Sequence, residues 1–188
     1  MKIALRRNQL AFAIALACFV PIAALAGNAL RISYVAPMAQ KPDALVTALY
    51  GKYNDIPGQR FVGFYIRKPA ELRQWMTPSL ADLYWWATKI EAEPGESPSL
   101  DFDVFVNGND FEISDLKIRV LSEQADSAIV EAKFNNLGTK TLVLYDMARS
   151  NEGWRIANIR YLPDEAFPTG FNLADAISAW QKEARKRS

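Results

Sequence analysis

Between Leu116 and Tyr161 the apolar residues return at every second position. Leu116, Ile118 and Val120 alternate with Lys117, Arg119 and Leu121, and Ala128, Val130, Ala132 and Phe134 alternate with Ile129, Glu131 and Lys133. A period of two places one set on one face of a β-strand, and residues 141–147 and 154–161 extend the pattern to four strands. Asn135-Asn136-Leu137-Gly138 and Ser150-Asn151-Glu152-Gly153 carry the Asn and Gly residues that tight hairpins need. Connections this short join only antiparallel neighbours. This half of the chain is therefore a meander, and it needs a cover for its apolar face.

The cover is expected from helices. Pro42-Asp43 opens one, with Leu45, Val46, Leu49, Tyr50 and Tyr53 on a single 3.6-period face, and Asn54-Asp55-Ile56-Pro57-Gly58 ends it with turn chemistry. A short helical turn is expected over residues 70–76. Thr77-Pro78 then starts a second helix, with Thr as N-cap and Pro at the next position. Its buried stripe is Leu80, Leu83, Tyr84, Ala87 and Ile90, and Pro94-Gly95 stops it in a loop over residues 93–99. Asn172 caps a last amphipathic helix through Leu173, Ile177 and Trp180, followed by a basic tail over residues 182–187. Helices followed by an antiparallel meander define an α+β fold, with helices packed on one curved sheet in a single domain over residues 42–188. Trp154, just after a turn glycine, is expected in the main core.

Residues 1–26 read as a secretory signal. Lys2, Arg6 and Arg7 precede an apolar run over residues 10–20, and Ala24-Leu25-Ala26 has the small-x-small form of a cleavage site before Gly27. The run is shorter than the about 20 residues of a membrane span, so no span is expected in the mature chain. Residues 27–41 form a lead-in. Periplasmic localisation follows. The alternative is a lipoprotein anchored through Cys18, which follows Ala15-Leu16-Ala17. Cleavage removes the only cysteine, so thiol catalysis and disulfides are not expected in the mature chain. The 188 residues contain no histidine, which excludes imidazole bases and His-ligated metals. With 22 basic and 21 acidic residues there is no cationic excess to bind nucleic acid.

One succession carries a resemblance: the first helix, the Thr77-Pro78-x-Leu80 helix, Asp101-x-Asp103-x-Phe105 with Asn107-Gly108-x-Asp110-Phe111, and a meander closing on Gly153-Trp154-Arg155-Ile156. Over about residues 42–162 it resembles a domain-of-unknown-function family of exported bacterial proteins, secreted or lipid-anchored in the envelope. The resemblance implies a cystatin-like α+β cone of the nuclear-transport-factor-two type. It brings no reaction with it, and cones of this type serve enzymes, binding modules and dimerisation domains alike.

Two constellations are candidates for binding. The first is the acidic stretch holding Asp101, Asp103, Asn107 and Asp110. In an extended strand Asp101 and Asp103 share a face, a spacing suited to paired carboxylates or a cation. The stretch fails as an EF-hand, because aligning Gly108 with the required glycine puts Phe105 and Ser114 at ligand positions; no metal or other cofactor is expected. The competing reading makes these residues turn caps, with Phe102 and Phe105 packed inward. The second constellation is Trp85 and Trp86. Adjacent on a helix, they cannot both face one core line, so one ring is expected at the surface. Tyr50, Tyr53, Tyr84 and Tyr145 are possible acids in a cavity, but each sits in an apolar stripe.

Three functions are compatible with these features. The leading one is a non-enzymatic periplasmic binding or protein-interaction module of the bacterial envelope. The alternatives are an immunity or inhibitor protein against a periplasm-acting toxin and a carboxylate-dependent enzyme built on Asp103 and a tyrosine. The expected partners are an envelope protein or a toxin.

Overall fold

The computed structural model describes residues 39–54, 68–89 and 100–187. The expected signal segment, residues 27–38 of the lead-in, Ile90, and the loops over residues 55–58 and 93–99 lie outside them. The described residues form α1 (Pro42–Asn54), α2 (Pro69–Trp75), α3 (Pro78–Ala87), β1 (Ile113–Glu123), β2 (Ser127–Asn136), β3 (Thr139–Ser150), β4 (Gly153–Tyr161), β5 (Phe171–Asn172) and α4 (Leu173–Arg187). The strands make one antiparallel sheet in the order β1-β2-β3-β4-β5, with helices packed on it. The fold is α+β, as the two hydrophobic periods require.

Each helix buries the face its sequence marks. Leu45, Val46, Leu49, Tyr50 and Tyr53 of α1 are all buried. Thr77 caps α3 by accepting the Leu80 amide at 3.4 Å, and Pro78 follows it. The α3 stripe is rotated from the expected one: Leu80, Ala81 and Ala87 are buried, whereas Leu83 and Tyr84 are only partly so. The junction of α2 and α3 is fixed to the sheet, because the Thr77 amide donates to the Ile156 carbonyl at 2.8 Å.

The strands follow the alternation where it is regular and depart from it at bulges. In β2, Ala128, Val130, Ala132 and Phe134 are buried, and in β3 so are Val143, Tyr145 and Met147. β1 begins at Ile113, three residues before the expected Leu116. A register shift between Ser114 and Lys117, with Asp115 at φ 55°, breaks the alternation there. In β4, Trp154 and Ile156 are buried, and then Ile159 and Tyr161. This switch from even to odd needs one extra residue. The register supplies it: Asp146 pairs with Asn158 and Met147 with Ile156, so Ala157 bulges.

The bulge also seats the last helix. The Asn158 side-chain carbonyl accepts the amides of Ile159 at 2.9 Å and Ala174 at 3.1 Å. Its NH2 donates to Asn172 Oδ1 at 2.9 Å, and Asn172 in turn accepts the Asp175 amide, capping α4 as expected. Leu173 and Ile177 of α4 are buried and Trp180 is half-buried.

Candidate functional site

The space between α1, α3 and the sheet is filled by the chain itself. Between α3 and β1, residues 100–112 turn back into the interior, and Val104, Phe105 and Val106 are completely buried. Three tyrosine hydroxyls hold this insertion. Tyr50 donates to the Phe105 carbonyl at 2.8 Å, Tyr161 donates to the Val104 carbonyl, and Tyr53 donates to Asp103 Oδ2 at 2.6 Å. Asp103 Oδ1 accepts the Phe105 amide at 2.9 Å, an Asx turn that starts the reversal, and Asp103 and Gly108 close it with a backbone bridge. Satisfying buried carbonyls in this way is what allows an irregular segment to be buried at all.

The acidic stretch is therefore a turn and not an extended strand. Of the two readings of this stretch the turn-capping one describes Asp103, which turns inward to Tyr53, while Asp101 is exposed. Asn107 occupies the left-handed region at φ 53° and is half-buried, and Asp110 is exposed at the rim. Phe102 packs near Tyr161, Phe167 and Phe171. Among the described residues, no group of three or more His, Cys, Asp or Glu side chains is placed to hold a metal ion.

A residue read only as part of a hairpin turn organises this region. Buried Asn136 donates from its NH2 to the carbonyls of Val106 at 3.1 Å and Asp110 at 3.2 Å, and accepts the Glu112 amide at 3.0 Å. The sequence carried no sign of this, because its partners lie 24 to 30 residues upstream in an aperiodic stretch.

Burial sets the chemistry of the tyrosines. Desolvation raises Tyr50, Tyr53, Tyr84, Tyr145 and Tyr161 above the ordinary tyrosine range, with nearby Asp103 adding to it in each case. They stay neutral at physiological pH, and Tyr50, Tyr53 and Tyr161 donate their protons to the insertion. Trp85 and Trp86 do not divide into one buried and one exposed ring. Both are half-buried against the core, and the Lys89 ammonium sits 4.4 Å from the Trp85 ring centre.

A concavity lies outside this packed interior. It is a groove of about 860 Å³ between residues 107–110, the β2–β3 hairpin and residues 162–166. Sequence reasoning placed Asn107 and Asp110 here but missed the apolar wall, where Leu137 and Leu162 are 57% and 52% exposed. Leu137 is a visible signal in retrospect, since hairpin positions with positive φ favour Asn or Gly, and it sits at φ 51° before Gly138 at φ 82°. No family model, no curated protein and no solved structure matches this chain.

Proposed function

We propose that the protein is a non-enzymatic binding module of the bacterial cell envelope, exported to the periplasm, that engages its partner through the groove beside the acidic loop. The observation that carries this reading is the filled interior. Val104, Phe105 and Val106 occupy the space in which a cone-shaped fold would take a small molecule, and the tyrosines there are engaged in holding them. Expelling three buried apolar side chains costs about 1.5–3 kcal/mol each, so the rim is the better place for a partner. The signal-like N-terminus and the resemblance to exported bacterial domains support the compartment. An inhibitor of a periplasm-acting toxin is the second reading, favoured by the exposed Asn109-Asp110 tip at the groove edge.

The test is site-specific photo-crosslinking in cells. A crosslinker at Asn109 or Leu142 in the groove is expected to give an adduct of discrete mass, and one at Lys117 on β1 is expected to give none. Equal labelling from Lys117, or none from the groove, overturns the reading.

A further inference from the structure

The groove has two properties that together describe what it takes. Part of its lining is aliphatic: Leu137, Leu142, Leu162 and Pro163. Leu137 and Leu162 are two of the three large hydrophobic side chains exposed among the described residues, Leu121 being the third, so most of that exposed apolar surface converges here. Isolated exposed leucines are ordinary, but convergence in one concavity marks a contact surface.

The charges at the rim give the second property. Asp110, Asp164 and Glu165 face a single cation, Lys140. Among the described residues none of these four forms an ion pair, whereas Asp82, Glu131, Asp146, Glu152 and Glu183 are paired with Arg73, Arg119, Arg160, Arg155 and Lys186. The groove is left with an acidic excess beside its apolar side chains, which is complementary to a cation next to an aliphatic side chain.

We infer that the groove docks a cationic peptide segment of a partner protein, placing a Lys or Arg against Asp110 and Glu165 and a neighbouring aliphatic side chain against Leu137 and Leu162. This rests on the groove being the binding surface, as proposed above, and adds the chemistry of the occupant. Leu137 supports it from another direction. A leucine held at φ 51° is strained relative to an ordinary conformation, whereas asparagine would fit the same turn with less strain.

The test uses the mature full-length protein and three labelled peptides: an alternating Lys-Leu hexamer, an alternating Glu-Leu hexamer and an alternating Ser-Leu hexamer. Fluorescence anisotropy should show the Lys-Leu peptide binding most tightly, with affinity falling as salt is raised. The Asp110→Asn/Glu165→Gln pair should weaken it about three- to tenfold. Leu137→Asn should weaken it too, without any loss of melting temperature. That second variant keeps the test valid even where the first perturbs the fold. Binding of the Glu-Leu peptide in preference, indifference to all the substitutions, or no binding of any peptide overturns the inference. So does self-association through the basic end of α4, seen by sedimentation and abolished by the same substitutions. The crosslinking experiment reads separately: groove adducts alongside failed peptides would leave the binding module standing and refute only the cationic partner.

Discussion

Tyr50 and Tyr145, 95 residues apart, meet hydroxyl to hydroxyl at 2.9 Å in the closed interior. Tyr50 has one proton and gives it to the Phe105 carbonyl, so Tyr145 is the donor between them. The three groups form a directed chain from β3 through α1 to the inserted loop.

That direction predicts an order of losses. Tyr145→Phe removes one hydrogen bond and should cost about 1 kcal/mol. Tyr50→Phe removes two hydrogen bonds, the one to the Phe105 carbonyl and the one accepted from Tyr145, and should cost more, about 2–3 kcal/mol. Urea denaturation of the two variants measures both; equal losses would mean that the chain is not directed in this way.

Alkaline pH should unfold the protein cooperatively. Burial raises Tyr50, Tyr53, Tyr145 and Tyr161 in the folded state, whereas in the unfolded chain they ionise at about 10. Below that pH both states hold the protons and stability is intact. Above it the unfolded state binds fewer protons, and stability falls by about 1.4 kcal/mol per pH unit for each such tyrosine. Phenolate absorbance and circular dichroism should therefore change together above about pH 10. Phenolate signal from all four tyrosines in a chain that is still folded would contradict their burial.

Asp103 serves the turn through both oxygens. Asp103→Ala removes the hydrogen bonds that its two oxygens accept from the Tyr53 hydroxyl and the Phe105 amide and should cost about 2–4 kcal/mol. Asp103→Asn keeps one acceptor and lets the new NH2 donate to the Tyr53 oxygen, for a loss of about 1 kcal/mol. Thermal melts of wild type and both variants, with and without calcium, give the comparison. No calcium effect is expected, and a rise of several degrees in wild type alone would make this loop an ion site.

Gly153 and Gly138 both have positive φ but differ in their surroundings. A Cβ on Gly153, at φ 98°, would lie 2.5 Å from the Ala39 carbonyl oxygen, whereas one on Gly138 meets nothing within 4 Å. Gly138→Ala should cost about 1 kcal/mol. Gly153→Ala should cost more than about 2 kcal/mol, because backbone must also move. Similar denaturation midpoints for the two would show that the contact with Ala39 carries no energy.

Export is testable by intact mass. The protein recovered from periplasm should begin at Gly27 and carry no lipid. A diacyl mass on Cys18, with release from the membrane by Cys18→Ser, would establish the lipoprotein alternative instead.

Local rules carried the fold a long way in the sequence. Thr77 and Asn172 act as caps because capping involves residues only a few positions apart. The β2 and β3 alternation is legible because the two strands pair from Asn136–Thr139 to Ser127–Ala148 without a register shift. The failures share a cause. The bulges at Asp115 and Ala157 shift the phase of the pattern by pairing with a neighbouring strand, and no single-strand reading contains that neighbour. The inserted loop owes its place to Tyr50, Tyr53 and Tyr161, which lie 55, 50 and 57 residues from the groups they hold. For the candidate site, Asn107 and Asp110 were legible, whereas Asp164, Glu165 and the leucines were not, because they come together only when residues 162–166 lie beside the β2–β3 hairpin.

The insertion also bears on the order in which the protein can assemble. A chain that emerges N-terminus first presents α1 early, yet the groups that satisfy Tyr50 belong to residues 105 and 145. Until β1 and β2 have emerged, the apolar face of α1 lacks the sheet it packs on, and a helix of 13 residues is marginal in water by itself. Contacts of such long range slow folding. The architecture thus delays closure of the interior until β3 and most of the chain are present.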